Sequence, residues 1–154
     1  MLKILLTGIT GQLGSELENA LSKEWKIFPV SRKEMDFSNE STIRRIIRDT
    51  KPDLIINPAA YTEVDRAENE KELAFAINEK APRIIAKEAK ALHIPLIHFS
   101  TDFVFDGKKS TPYLETDRPS PKSIYGLSKL GGEKAIQEVD GDYLIFRTSW
   151  VYSR

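Results

Sequence analysis

Five short apolar runs alternate with longer amphipathic segments along this chain, and that alternation restricts its fold more than any other feature. Residues 4–6, 27–30, 54–56, 96–99 and 144–146 are short, largely apolar runs that read as buried strands. Residues 12–23, 40–49, 70–78, 82–92 and 123–138 carry apolar side chains three and four apart and read as helices, with Pro82 at a helix start, where proline is tolerated. This βαβα order predicts an α/β domain, a parallel sheet with helices on both faces. The right-handed crossover rule then favours a doubly wound Rossmann arrangement with strand order 3-2-1-4-5. In that order a ligand crevice falls at the carboxyl ends of strands one and four. Residues 106–122, with Pro112, Pro119 and Pro121, form one long irregular stretch, and loops of that length in compact domains are usually functional.

Composition bounds the partners. With 154 residues, 40% of them hydrophobic, the chain suffices for one core and leaves little room for a second, so residues 1–154 read as one domain. The 23 basic and 23 acidic side chains cancel, so no excess of cations exists to displace counterions, and a nucleic-acid partner is not expected. The absence of cysteine excludes a disulfide framework and a thiolate metal site and fits a reducing cytoplasm. The only histidines are His93 and His98, so no metal site is expected either. The apolar start at residues 1–6 stops at Thr7-Gly8, short of the roughly 7 to 15 residues of an export core, and no stretch approaches membrane-spanning length.

The first strand runs into Gly8-Ile9-Thr10-Gly11-Gln12-Leu13-Gly14, a G-x-x-G-x-x-G turn opening a helix. Gly8 permits the tight turn, Gly11 admits a pyrophosphate close to the backbone, and Gly14 lets helix and strand pack together. The free amides and dipole of the helix start favour the anion. Behind a strand, this pattern predicts dinucleotide binding. Strand two ends in Arg32-Lys33, which suits a 2′-phosphate and favours NADP(H) over NAD(H), although Asp36 lies close by and a solvated basic turn has the same composition.

Tyr125 and Lys129 are four apart on a helix, hence on one face. Reducing a carbonyl requires hydride on carbon and a proton on oxygen, and a phenol donates near neutrality when a nearby cation stabilises its phenolate. Lys129 supplies such a charge, and the helix start acts in the same direction. Strand four ends in Ser100-Thr101-Asp102, which puts the Thr101 hydroxyl at the carboxyl edge of the sheet. Gly126, Gly131 and Gly132 weaken the same helix by about 1 kcal/mol each, which points to close backbone approach or to tight packing against the sheet.

The glycine turn, the strand-four hydroxyl and Tyr-x-x-x-Lys, in this order, resemble the extended short-chain dehydrogenase/reductase family. Residues 100–107 (STDFVFDG), 125–133 (YGLSKLGGE) and 147–152 (RTSWVY), with Asn57-Pro58-Ala59-Ala60-Tyr61-Thr62, are similar to its dTDP-4-dehydrorhamnose reductase branch, and residues 100–107 are specific to that branch. The resemblance covers the whole chain. It implies that Gly8, Gly11, Gln12, Leu13 and Gly14 cradle the pyrophosphate, that Asp36 and Phe37 flank the adenine, and that Ala59, Ala60 and Tyr61 line the cofactor's path. It makes Thr101, Tyr125 and Lys129 the catalytic set: Tyr125 gives the proton, Lys129 binds the nicotinamide ribose and lowers the phenol's pKa, and Thr101 hydrogen-bonds the reacting oxygen. Asp102 and Trp150 would touch a dTDP-sugar. Phe103 stands where the branch usually has Tyr, and Pro58 where Ala is common. Members run to nearly twice this length, which implies that the substrate domain is absent or truncated here and that a homodimer belongs to the full-length protein.

Other residues have plainer readings. His98 alternates with Leu96 and Ser100 as a core histidine does, and His93 ends a helix. Glu63, Asp65 and Glu68 fit a solvated loop as well as a magnesium site. The alternatives to a reductase are a nucleotide-sugar epimerase or dehydratase, and a non-catalytic dinucleotide-binding regulatory subunit.

Overall fold

A computed structural model describes residues 1–152. Its sheet contains β1 (Lys3–Thr7), β2 (Lys26–Val30), β3 (Leu54–Asn57), β4 (Leu96–Thr101) and β5 (Tyr143–Thr148), all parallel. The helices are α1 (Gln12–Leu21), α2 (Glu40–Thr50), α3 (Val64–Ala67), α4 (Lys71–Phe75), α5 (Ala81–Leu92) and α6 (Ile124–Val139). A π-type segment, Ala76–Lys80, joins α4 to α5, so the predicted break before Pro82 is instead a widened turn in one long helical stretch. The short α3 is absent from the periodicity, because four residues are too few to show a period. No helix among the described residues is long and apolar enough to cross a membrane.

The strand order is β2-β1-β3-β4-β5, which corrects the expected 3-2-1-4-5. Only α2 lies between β2 and β3, so the chain crosses once over β1 and β3 pairs with β1 on its far side. Burial explains the choice. Ile55, Ile56 and Asn57 of β3 are fully enclosed, as a central strand requires, whereas β2 exposes Lys26 and Pro29. Proline donates nothing to a ladder and is tolerated at an edge. The order reverses between β1 and β3, so the ligand crevice opens at their carboxyl ends, with β4 one place further along.

Two apolar layers hold the sheet. Leu5, Ile55 and Leu96 point to one face and pack with Ile43 and Ile47 of α2, Ile85 and Ala89 of α5 and Ile136 of α6. Ile4, Leu6 and Ile56 point to the other, under Leu17 and Leu21 of α1. Beyond α1 that second face stays open: Leu144 and Phe146 of β5 are 57% and 48% exposed, with Phe99 stacked on Phe146 at 5.7 Å. Caps fix the helix starts, with Asn39 accepting from the Thr42 amide at 3.3 Å and Ser123 from the Gly126 amide at 3.1 Å.

Gly126 and Gly132 of α6 are explained by close backbone approach, whereas a Cβ on Gly131 would meet only the Glu79 side chain. A Cβ on Gly126 would lie 2.3 Å from the Phe103 carbonyl oxygen, and one on Gly132 would lie 2.1 Å from that of Asn78. Alanine at 132 gains about 1 kcal/mol of helix propensity. Overpacking against backbone outweighs that gain, and Gly132→Ala is expected to lower stability by about 1–3 kcal/mol in denaturant unfolding. An unchanged or higher midpoint would refute the close-approach explanation.

Candidate active site

The glycine turn sits at the switch point. Gly8 has a φ of +63°, and a Cβ there would meet the Ala59 Cα at 2.8 Å; one on Gly14 would meet the Gly8 carbonyl oxygen at 2.1 Å. Glycine is therefore required at both positions by the packing of β1, the loop after β3, and α1. Gly11 is the N-cap of α1 and has no side chain to bond the first-turn amides, which stay available to an anion. Gln12 is exposed, Leu13 half-buried, and Ala59 and Ala60 half-buried on the far wall. This cradle fits a dinucleotide pyrophosphate.

Past β2, Arg32 is exposed beside Asp36, whose carboxyl is held below its usual range by the Ser38 hydroxyl (2.7 Å) and amide (2.9 Å), with a lesser contribution from Arg32. Phe37 is buried in the apolar core, so its ring faces inward. Tyr61 is likewise turned inward. Its phenol donates to Glu70 at 2.6 Å, and its amide and carbonyl are both held by the Asn78 side chain, at 2.8 and 3.0 Å. Asn78 also donates to the Ser128 hydroxyl at 3.0 Å, which links the loop after β3 to α6. The sequence reading missed this asparagine. Its only signal is an amide within an otherwise apolar helical face, and π-type turns recur at functional sites.

β4 and α6 bring the three expected catalytic residues together. Thr101 ends β4, is 6% exposed, and accepts from the Phe103 amide at 3.2 Å. The Thr101 hydroxyl beside the Tyr125 phenol acts to lower its pKa. Burial works more strongly the other way and, with the Asp102 charge, leaves the phenol's pKa raised. Phe103 packs its ring edge-on to Tyr125 at 5.5 Å. Lys129 is 2% exposed and donates to the Phe99 carbonyl at 2.6 Å. Burial pushes its ammonium down to about 8 against the pull of Glu133. The expected lowering of the phenol by Lys129 is therefore not what this structure shows: the ammonium is directed at a β4 carbonyl, and desolvation dominates at Tyr125.

A buried polar chain runs beneath. Thr7 donates to Asn57 at 2.6 Å, and the Asn57 amide meets His98 Nδ1 at 3.1 Å. His98 is a core histidine, as the alternation predicts, with its pKa pushed well down by burial and then by Lys129. Asp102 is exposed beside Thr101, and Trp150, past β5, has a φ of +45° and is 78% exposed. Trp150 is not drawn into the cluster. Glu68 accepts from the Ile124 amide at 2.8 Å and so pins the start of α6; no group of three or more metal-binding side chains occurs among the described residues. The segment after β4 is irregular, as predicted, but well tied: Phe105 stacks on Tyr113 at 4.2 Å, and Tyr113 donates to Asp106 at 2.8 Å.

A Rossmann sheet with this glycine turn and a Tyr-x-x-x-Lys helix beside a strand-end hydroxyl defines a domain of the short-chain dehydrogenase/reductase class. The chain belongs to the family of the RmlD substrate binding domain, whose model matches residues 2–154. It is 45% identical over 152 residues to the dTDP-4-dehydrorhamnose reductase of Burkholderia thailandensis, covering 99% of this chain and 51% of the relative. It is 46% identical over 156 residues to that of Escherichia coli K12, covering 99% and 52%. The Bacillus anthracis dTDP-4-dehydrorhamnose reductase in complex with NADP superposes with a TM-score of 0.94 at 39% identity, over 98% of this chain and 54% of that one. A Thermus thermophilus UDP-glucose 4-epimerase complexed with NAD, at 19% identity and a TM-score of 0.84, shares the fold. The chain spans about half the length of the relatives it matches.

Proposed function

We propose that this chain is the cofactor-holding and proton-donating part of an NADPH-dependent reductase. Its reaction reduces the 4-keto group of dTDP-6-deoxy-L-lyxo-4-hexulose to dTDP-L-rhamnose. The observation that carries the reading is the placement of Tyr125, near the start of α6, beside Thr101 at the end of β4, with Lys129 one helical turn further along α6. The similarity to named dTDP-4-dehydrorhamnose reductases at about 45% identity supports the sugar and, with the NADP-bound relative, the cofactor. Epimerase likeness rests on fold alone.

In this reading the amides opening α1, with Gly8, Gly11, Gln12, Leu13 and Gly14, hold the pyrophosphate, and Arg32 approaches the 2′-phosphate. NADPH supplies hydride to the carbonyl carbon when bound. Thr101 donates a hydrogen bond to the carbonyl oxygen and polarises it. Tyr125, kept protonated by burial, passes its proton to the same oxygen as negative charge develops there. Lys129, one turn along α6, binds the nicotinamide ribose in this reading, and its positive charge favours the phenolate form left behind. Asp102 and Trp150 border the sugar. The cysteine-free chain belongs in the reducing cytoplasm, and the homodimer implied for the full-length protein is checked by light scattering.

The test uses the full-length polypeptide as its cell makes it. NADPH absorbance is expected to fall on adding the dTDP-keto sugar, with NADH less effective. No depletion with any dTDP-keto sugar would reject the reading.

A further inference from the structure

Behind the three proposed catalytic groups lies a second set of charges to which the reaction assigns nothing. Glu133 is one turn beyond Lys129 on α6, on the same sheet-facing side, and is 2% exposed. Arg147 of β5 meets both of its carboxylate oxygens, at 2.9 and 2.7 Å. The Arg147 guanidinium also lies 5.1 Å from the Phe105 ring and 3.4 Å from the Glu115 carbonyl oxygen, so the irregular 105–122 segment holds it in place. Arg147 is register partner to Ser100, and parallel partners share a face. Lys129, Glu133 and Arg147 therefore occupy one layer between α6 and the sheet.

The surroundings of the Lys129 ammonium are sparse. Its one hydrogen-bond partner among the described residues is the Phe99 carbonyl. On α6 it has Tyr125 a turn before and Glu133 a turn after; His98 of β4 lies near enough to feel its charge, and Ser100 of β4 and Arg147 of β5 are register partners on the same face of the sheet. His98 Nε2 and Ser100 Oγ are buried and make no hydrogen bond, so neither stabilises the charge. Of these groups only Glu133 carries an opposite charge. A buried ammonium with one neutral acceptor keeps its proton poorly unless a carboxylate is near.

We infer that Glu133, clamped by Arg147, is a positioning residue that keeps the buried Lys129 ammonium charged. Arg147 limits how much of the carboxylate's field Lys129 receives, so the two partners act on Lys129 in opposite senses. The consequence for turnover rests on the reductase reading above; the consequence for the lysine does not.

The experiment follows the Lys129 13Cε resonance against pH in full-length protein labelled with 13C-lysine, with Lys129→Arg providing the assignment. In the parent protein the midpoint is expected near 8. Glu133→Gln should move it to a pH lower by about 1. Arg147→Met should move it up, because Lys129 becomes the carboxylate's sole cation. A role limited to packing would not give opposite signs. Where either single variant does not fold, Glu133→Gln combined with Arg147→Met removes both charges, an exchange buried pairs often tolerate, and should also lower the midpoint. A midpoint unchanged by Glu133→Gln or by the double variant, or lowered by Arg147→Met, overturns the inference. The parent and Glu133→Gln are then compared in turnover. A Lys129 midpoint that moves as stated in a protein that reduces no keto sugar supports the inference and rejects the reductase reading alone.

Discussion

Tyr125→Phe is expected to cut keto-sugar reduction by about a thousandfold while leaving NADPH binding within about tenfold of the parent. The phenol lies beside Thr101, and burial holds its proton. Removing its oxygen leaves the ring packed against Phe103, so the fold of α6 is untouched. The loss should appear in kcat, with hydride transfer stalled for want of a proton on oxygen. NADPH absorbance measures the turnover and its fluorescence the binding. Turnover within tenfold of the parent would move the proton-donor role elsewhere, and Thr101→Val would then be the variant to examine.

Lys129→Met is expected to abolish turnover to a similar extent and yet to make the protein more stable at pH 7. The ammonium is fully buried, with its pKa lowered from 10.5 to about 8. That displacement corresponds to about 3 kcal/mol against the folded state wherever both states carry the proton. Losing the hydrogen bond to the Phe99 carbonyl returns about 1 kcal/mol, so a net gain of about 2 kcal/mol is expected. The sign with pH follows from the direction of the shift. Below about 8 folded and unfolded chains both hold the proton and the full cost applies. Between about 8 and 10.5 the folded chain releases it first, so the parent's stability relative to Lys129→Met rises through that window. Denaturant unfolding of the two proteins at pH 7, 9 and 10.5 checks this. A variant less stable than the parent at pH 7, or a difference that stays constant across the window, contradicts it.

The two variants separate chemistry from architecture, because Tyr125 and Lys129 differ in what surrounds them. Tyr125 is half-buried. Lys129 is enclosed under α6, where its charge is a standing cost to the fold.

Local chemistry alone was enough to place the glycine turn, the helical Tyr125–Lys129 pair and the hydroxyl at the end of strand four. A turn with a positive φ and no room for a Cβ requires Gly8 wherever the rest of the chain goes, and four-residue spacing puts two side chains on one helix face before any packing occurs. Apolar runs and amphipathic periods located the strands and most helices for the same reason: burial of one face is written into consecutive residues. Strand order was not, because it depends on which buried run is enclosed on both sides. Pro29 in β2 and the unbroken Ile55-Ile56 of β3 were the available clues, and they gain meaning only when the two strands compete for the sheet's centre. The inward turn of Phe37 and Tyr61 and the Asn78 clamp likewise arise from contacts between distant segments. The Glu133–Arg147 pair is the clearest case. Two charges fourteen residues apart read as solvated on their own, and only the docking of α6 on β5 takes both out of water and sets them beside a lysine. Sequence determined which groups are present and how neighbours along the chain are oriented; tertiary packing decided which of them share a low-dielectric space, and that space sets the charge on Lys129.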